Sequence, residues 1–211
     1  MSNALDAWHK ISSAASKVGV PIDSKTTNFV ESIYGESRLP EKAGVWTNDV
    51  ISPLSSKFQS FQGDIAGAAA HWEGEAFERF RTYMMETMMI GMSSVLDTME
   101  AIPKGLLDAD TAINNARTQL TVTIIAAAVA LAGSIIAIAF FGAGIVGIIA
   151  TVTGVLTTIA AEIASCSNSL SDVKNTFSKV MADMANVRGL VDGGPPAMSP
   201  SIGDPGNWIP K

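Results

Sequence analysis

Residues 118–161 read TQLTVTIIAAAVALAGSIIAIAFFGAGIVGIIATVTGVLTTIAA, and these 44 residues contain no Asp, Glu, Lys or Arg. Gly142-Ala143-Gly144 divides the run, so two apolar helices are expected, over 124–141 and 145–163. Each is close to the roughly 20 residues that cross a bilayer. A helix that is apolar all round has to be enclosed by a protein core or by lipid. The rest of the chain must therefore be read by how it treats this hairpin.

The remainder is of ordinary polarity. The 211 residues carry 14 basic and 20 acidic side chains, a net charge of −6, a pI near 4.8 and a mean hydropathy of +0.28. Charged residues make up 16%, against roughly 25% in a typical globular chain, and about half of that deficit lies in the uncharged run, outside which 34 of 167 residues are charged. The acidic balance argues against a nucleic-acid partner, which would require a basic face. One cysteine, Cys166, permits no intrachain disulfide and no cysteine metal cluster. The opening MSNALDAWHKISS lacks the apolar core of a secretory signal peptide.

Outside the run the pattern is helical, without alternating strands or Asn-Gly and Asp-Gly hairpin signals. Leu5, Trp8, Ile11 and Ala15 give a short helix over about 4–18, ended by Pro21, and Phe29, Val30 and Ile33 mark another over about 26–36. Trp46, Val50, Leu54, Phe58, Phe61, Ile65, Ala68 and Trp72 recur at steps of three and four, one stripe of a long amphipathic helix. Pro53 either kinks that helix or starts its regular part behind Ser52. After a turn at 71–75, Phe77, Phe80, Met84, Met88, Met92, Val95 and Met99 form a second stripe. Pro103 and Gly105 are expected to interrupt it, with the helix resuming at about 106–117. A final helix is expected over about 165–189, with Val173, Phe177, Val180, Met181 and Met184 apolar, then a disordered Pro/Gly-rich tail over 192–211. The fold expected is an all-α, elongated helical bundle: one domain over 1–191, built on a helix-turn-helix hairpin (about 43–118) with a central uncharged hairpin (about 121–163).

Trp72-Glu73-Gly74, set between two long amphipathic helices, resembles the Trp-x-Gly family of type VII (ESX-type) secretion substrates. The resemblance covers about residues 40–120. It implies a helical hairpin with Trp72 and Gly74 in the turn, export without a cleaved signal peptide, and a bacterial protein that is secreted or held at the cell surface. It also implies hetero- or homo-oligomerisation with another helical hairpin protein. The family's export signal, a Tyr followed four residues later by Asp or Glu, is absent: Tyr83 has Thr87 at that distance and Tyr34 has Arg38. Within the resemblance, a partner chain is one place for that signal. The chain is about twice the family's length, and the uncharged run has no counterpart in the minimal hairpin.

Three readings of that run stay open: a constitutive transmembrane hairpin, a hairpin sheathed inside a soluble bundle and released to a membrane, and a core with no membrane step. The sheath would come from the helices at 46–101 and 165–188. Candidate membrane-interacting residues are Ile124, Ile125, Val129, Leu131, Ile135, Ile136, Ile138, Phe140, Phe141, Ile145, Val146, Ile148, Ile149, Val155 and Leu156, with Gly142 and Gly144 as the hairpin turn. Insertion or pore formation through these residues is the expected activity. The alternatives are an integral membrane or structural protein with a chance Trp-x-Gly, or the targeting portion of a longer secreted toxin.

No catalytic constellation is visible. His9 and His71 lack metal-ligand spacing, and Cys166 has no basic neighbour to activate it. Glu73, Glu75, Glu78, Asp108 and Asp110 read as helix-start or solvated charges. No enzyme activity, metal, cofactor or small-molecule substrate is expected.

Overall fold

The computed structural model describes residues 2–141, 144–192 and 209–210. Its helices are α1 (Ser2–Lys17), α2 (Ser24–Ile33), α3 (Leu39–Val45), α4 (Ser52–Ala68), α5 (Glu75–Tyr83), α6 (Met89–Phe141) and α7 (Gly144–Asp192). Two-residue strands β1 (Trp72–Glu73) and β2 (Ile209–Pro210) pair antiparallel. The protein is an all-α helical bundle with hairpins. The expected tail at 192–211 lies mostly outside the described residues; within it Ile209 and Pro210 pair with Glu73 and Trp72. The chain divides into two compact units, Met1–Ser37 with Asp108–Lys174, and Arg38–Leu107 with Asn175–Lys211. Each takes part of α6 and part of α7, because both helices are much longer than the sequence suggests.

In the first unit, α1 and α2 pack on the α6–α7 hairpin. Ala4, Trp8, Ile11 and Ala15 form the buried line of α1 and meet Val30 and Ile33 of α2, Leu120, Ile124, Ala127 and Leu131 of α6, and Val152, Val155 and Ile159 of α7. Trp8 is only 1% exposed. The stop of α1 precedes Pro21: Gly19 takes φ +74°, and the Val20 N–H donates to the Ala15 carbonyl at 2.9 Å. This six-residue closure is a glycine-dependent helix end. Asp23 then caps α2, its side chain accepting from the Lys25 N–H at 3.2 Å.

In the second unit, Ile65 of α4 packs with Met84 and Met89, flanked by Phe58, Phe61, Phe80, Tyr83 and Met88. Two π-helical turns, Trp46–Ile51 and Met84–Met88, interrupt the α-helical hydrogen bonding. A π turn inserts one extra residue and rotates the next stretch of helix about its axis. The most deeply buried line therefore steps from Met84 to Met89, Leu96 and Ile102, with the expected Met88, Met92, Val95 and Met99 half-buried beside it. The first π turn precedes Pro53, where the Ser52 N–H reaches back to Thr47. Ser52 is itself helical and makes no side-chain cap.

Pro103 and Gly105 do not break the helix, because α6 runs through both. Proline removes one backbone hydrogen bond, but Ile102 is 2% exposed, so packing holds the helix at that point. A Cβ on Gly105 would lie 3.0 Å from the Phe177 ring, which places α7 directly over this glycine.

Trp8→Ala is expected to destabilise the protein to urea by about 3–5 kcal/mol. Met85→Ala, at a half-exposed position, should change stability by less than about 0.5 kcal/mol.

Candidate membrane-facing site

The uncharged run forms the end of α6 and the start of α7. Gly144 opens α7 with φ +65°, a backbone setting that favours glycine, and Gly142 lies outside the described residues. The most apolar 18-residue window in each long helix has a mean hydropathy of 1.8, yet only 22% and 17% of these windows is buried. Both helices are long and apolar enough to cross a membrane.

The hairpin has two faces. Ile124, Leu131 and Val155 are buried against α1, α2 and each other, and Ile148 and Leu156 are partly buried there. With α1 in place these five are packing residues rather than surface that lipid could reach. Ile125, Val129, Ile135, Val146 and Ile149 are exposed, with Val129 at 67% and Val146 at 74%. The side chains of Ile136, Ile138, Phe140, Phe141 and Ile145 lie outside the described residues. Val122 extends the open stripe one turn before Ile125. The three-residue step is present in the sequence, but Val122 falls ahead of the expected helix start.

Polar groups in the hairpin are satisfied locally. Thr151 donates to Gly147, Thr157 to Thr153, Thr158 to Gly154 and Ser134 to Ala130, each to a carbonyl one turn back. Such back-bonding lets hydroxyls sit in an apolar medium.

The charged boundary of the run holds the cover in place. The Arg117 Nε–H donates to the Ile33 carbonyl at 2.9 Å and its Nη2 to the Gly35 carbonyl at 2.8 Å, so one guanidinium satisfies the open end of α2. Thr121 donates to the Arg117 carbonyl at 2.7 Å, which leaves Tyr34 as donor in the 2.9 Å contact between Tyr34 and Thr121. Ser37 donates to Asp110 at 2.5 Å. In the sequence Arg117 is marked only by its place next to the uncharged run, since its partners lie 82 and 84 residues away.

The sheath is thus α1 and α2. Phe29, Val20 and Ile22 add to it. Of the segments expected to provide it, 46–101 belongs to the other unit and 165–188 is divided between the two, with Cys166 inside this core.

At the Trp-x-Gly turn, α4 ends at Ala68, and the Ala70 and His71 N–H groups close onto Gly67 and Ala68. Gly74 has φ 99° and leads into α5. Trp72 is 38% exposed, so it leaves the buried stripe that ran through Ile65, because the helix has already ended. Arg79 pairs with Glu75 and Arg81 with Glu78 on the exposed face of α5.

Burial raises the Cys166 thiol above its ordinary range, and the neighbouring Glu162 charge adds to this. Its sulfur donates weakly to the Ala116 carbonyl at 3.7 Å. That environment suits a packed thiol rather than a nucleophile. Among the described residues no three His, Cys, Asp or Glu side chains gather as metal ligands. No protein-family model, curated protein or solved structure matches the chain.

Burial also raises the Tyr34 hydroxyl above its ordinary value of 10.0, against the pull of the Arg117 charge. The folded state therefore holds this proton more tightly than the unfolded chain. The resulting stability is complete below about pH 10 and is lost as pH rises through the folded value. The urea midpoint should fall above pH 10, and Tyr34→Phe should flatten that fall. An identical alkaline fall in the variant would show that Tyr34 is not its source.

Proposed function

We propose that this chain is a membrane-active helical protein that inserts its uncharged hairpin into a lipid bilayer. The observation that carries this reading is the open apolar face of α6 and α7, from Val122 to Ile135 and at Val146 and Ile149. A helix that served only as a core would be covered on all sides, whereas less than a quarter of each apolar window is buried here.

The resemblance at Trp72-Glu73-Gly74 supports a type VII route to that membrane, in company with a second helical hairpin protein that carries the export signal. The positive φ of Gly74 is in keeping with a turn that needs glycine. In a bacterium with a type VII system, Gly74→Ala is expected to reduce export of the tagged chain, and undiminished export would detach the protein from that route.

Val129→Asp tests insertion. In water the substitution falls on an exposed site and should shift stability by less than about 0.5 kcal/mol. In a bilayer a charge at mid-helix costs about 2.5–3.5 kcal/mol or more. The wild-type chain should release dye from vesicles of equal parts phosphatidylcholine and phosphatidylglycerol, and the variant should release at least tenfold less. Equal release from both would remove the hairpin from the activity.

A further inference from the structure

α1 lies beside the open stripe as well as over the buried one. Asn3, Asp6, Ala7 and Lys10 of α1 line a groove of about 440 Å³ together with Ile125, Ala128, Val129 and Ala132 of α6. Asp6, His9, Lys10, Ser13 and Lys17 face outward from α1, all exposed. Counted from Arg117 at ~1.5 Å per residue, the level of Ile125 and Ala132 lies about 12–22 Å into the uncharged run. That is the middle of a hydrocarbon layer of about 30 Å. With α1 where it is, insertion of the hairpin would carry Asp6 and Lys10 to the bilayer centre, where isolated charges are strongly disfavoured. The arrangement of the first unit and an inserted hairpin exclude one another.

We infer that α1 and α2 form a removable clasp, which must leave the hairpin before the hairpin enters lipid, and that the freed α1 then lies in the bilayer surface. This rests on the membrane-active reading above and specifies its mechanism. The chemistry of α1 fits the second position. Ala4, Trp8, Ile11 and Ala15 make one apolar line, and Lys10, Lys17 and Asp6 lie off it. A helix of this kind sits at a headgroup boundary with its aromatic ring among the upper acyl carbons. The anchors are placed for release. Arg117, Tyr34 with Thr121, and Ser37 with Asp110 all hold the end of α2 and the residues just after it, at the charged border of the run. The buried line of α1 meets the hairpin through apolar contacts, and lipid can replace them.

The test tracks Trp8 in a full-length chain whose other tryptophans are replaced (Trp46→Phe, Trp72→Phe, Trp208→Phe). In solution its fluorescence should resist acrylamide. With dye-loaded vesicles containing phosphatidylcholine brominated on the acyl chains, it should be quenched in step with release. A second variant ties the clasp shut with Ala7→Cys and Ala128→Cys in a Cys166→Ala background. Disulfide formation there is checked by thiol titration, and release should be at least tenfold lower oxidised than reduced. Arg117→Gln should release about tenfold faster than wild type. Dye release with Trp8 still unquenched, or equal release from the oxidised and reduced forms, overturns the clasp and leaves the membrane-active reading intact. Failure of the wild-type chain to release dye overturns that reading, and the clasp with it.

Discussion

A helical hairpin with no charged residue for 44 positions needs apolar surroundings on every side, and this chain supplies them on one. The hydrophobic contact between α1 and the hairpin is what the first unit depends on. It encloses Trp8 and Ile11, and through them joins α1, α2, α6 and α7 in one core. Burying a large side chain stabilises by about 1.5–3 kcal/mol, so a handful of such residues can hold the cover down. No comparable cover lies over Val129 or Val146. The open face is what sets this unit apart from a simple four-helix core.

Where polar anchoring occurs is dictated by the same constraint. The uncharged run cannot supply ion pairs, so directional contacts gather at its edge, on Arg117, Thr121 and Asp110. Arg117 is suited to this place because its planar guanidinium reaches two carbonyls of the α2 terminus while also donating to Asn114 on its own helix. Among the described residues no buried side-chain nitrogen or oxygen lacks a partner. The interior of the first unit is therefore held by non-directional apolar contact and its border by geometry. Such a division lets one part yield to an apolar medium without breaking a polar network inside the core.

The elements that can be read from the sequence are those whose signal is local. The stripe from Phe58 to Ile65, the amphipathic line of α1 and the two apolar helices all come from side-chain spacing, and the structure has them. The π turns do not show in spacing, because one inserted residue looks like noise until the buried line is seen to jump from Met84 to Met89. Pro103 reads as a stop by its chemistry and is overridden by packing around Ile102 and Phe177. The candidate site is legible as a composition and not as a surface. The sequence marks Ile124 and Ile125 as equally apolar, and only the tertiary position of α1 makes one a core residue and the other an open one. Spacing misplaces Trp72 for a related reason: its step of four from Ala68 continues a helix that has already ended.

Two glycines bear on what the open face is for. Gly133 and Gly154 lie inside α6 and α7, where glycine weakens a helix by about 0.8–1 kcal/mol relative to alanine. Around a Cβ built at either position there is nothing within 4 Å. The same open space surrounds the helical Gly44, Gly63, Gly67 and Gly91, so no packing contact in this arrangement accounts for any of these glycines. In lipid, apolar contact no longer drives helices together, and close backbone approach at small residues takes over. Under the membrane-active reading the outer face thus does two things. Its valines and isoleucines meet acyl chains, and its glycines give neighbouring helices room to approach once α1 has been exchanged for the bilayer.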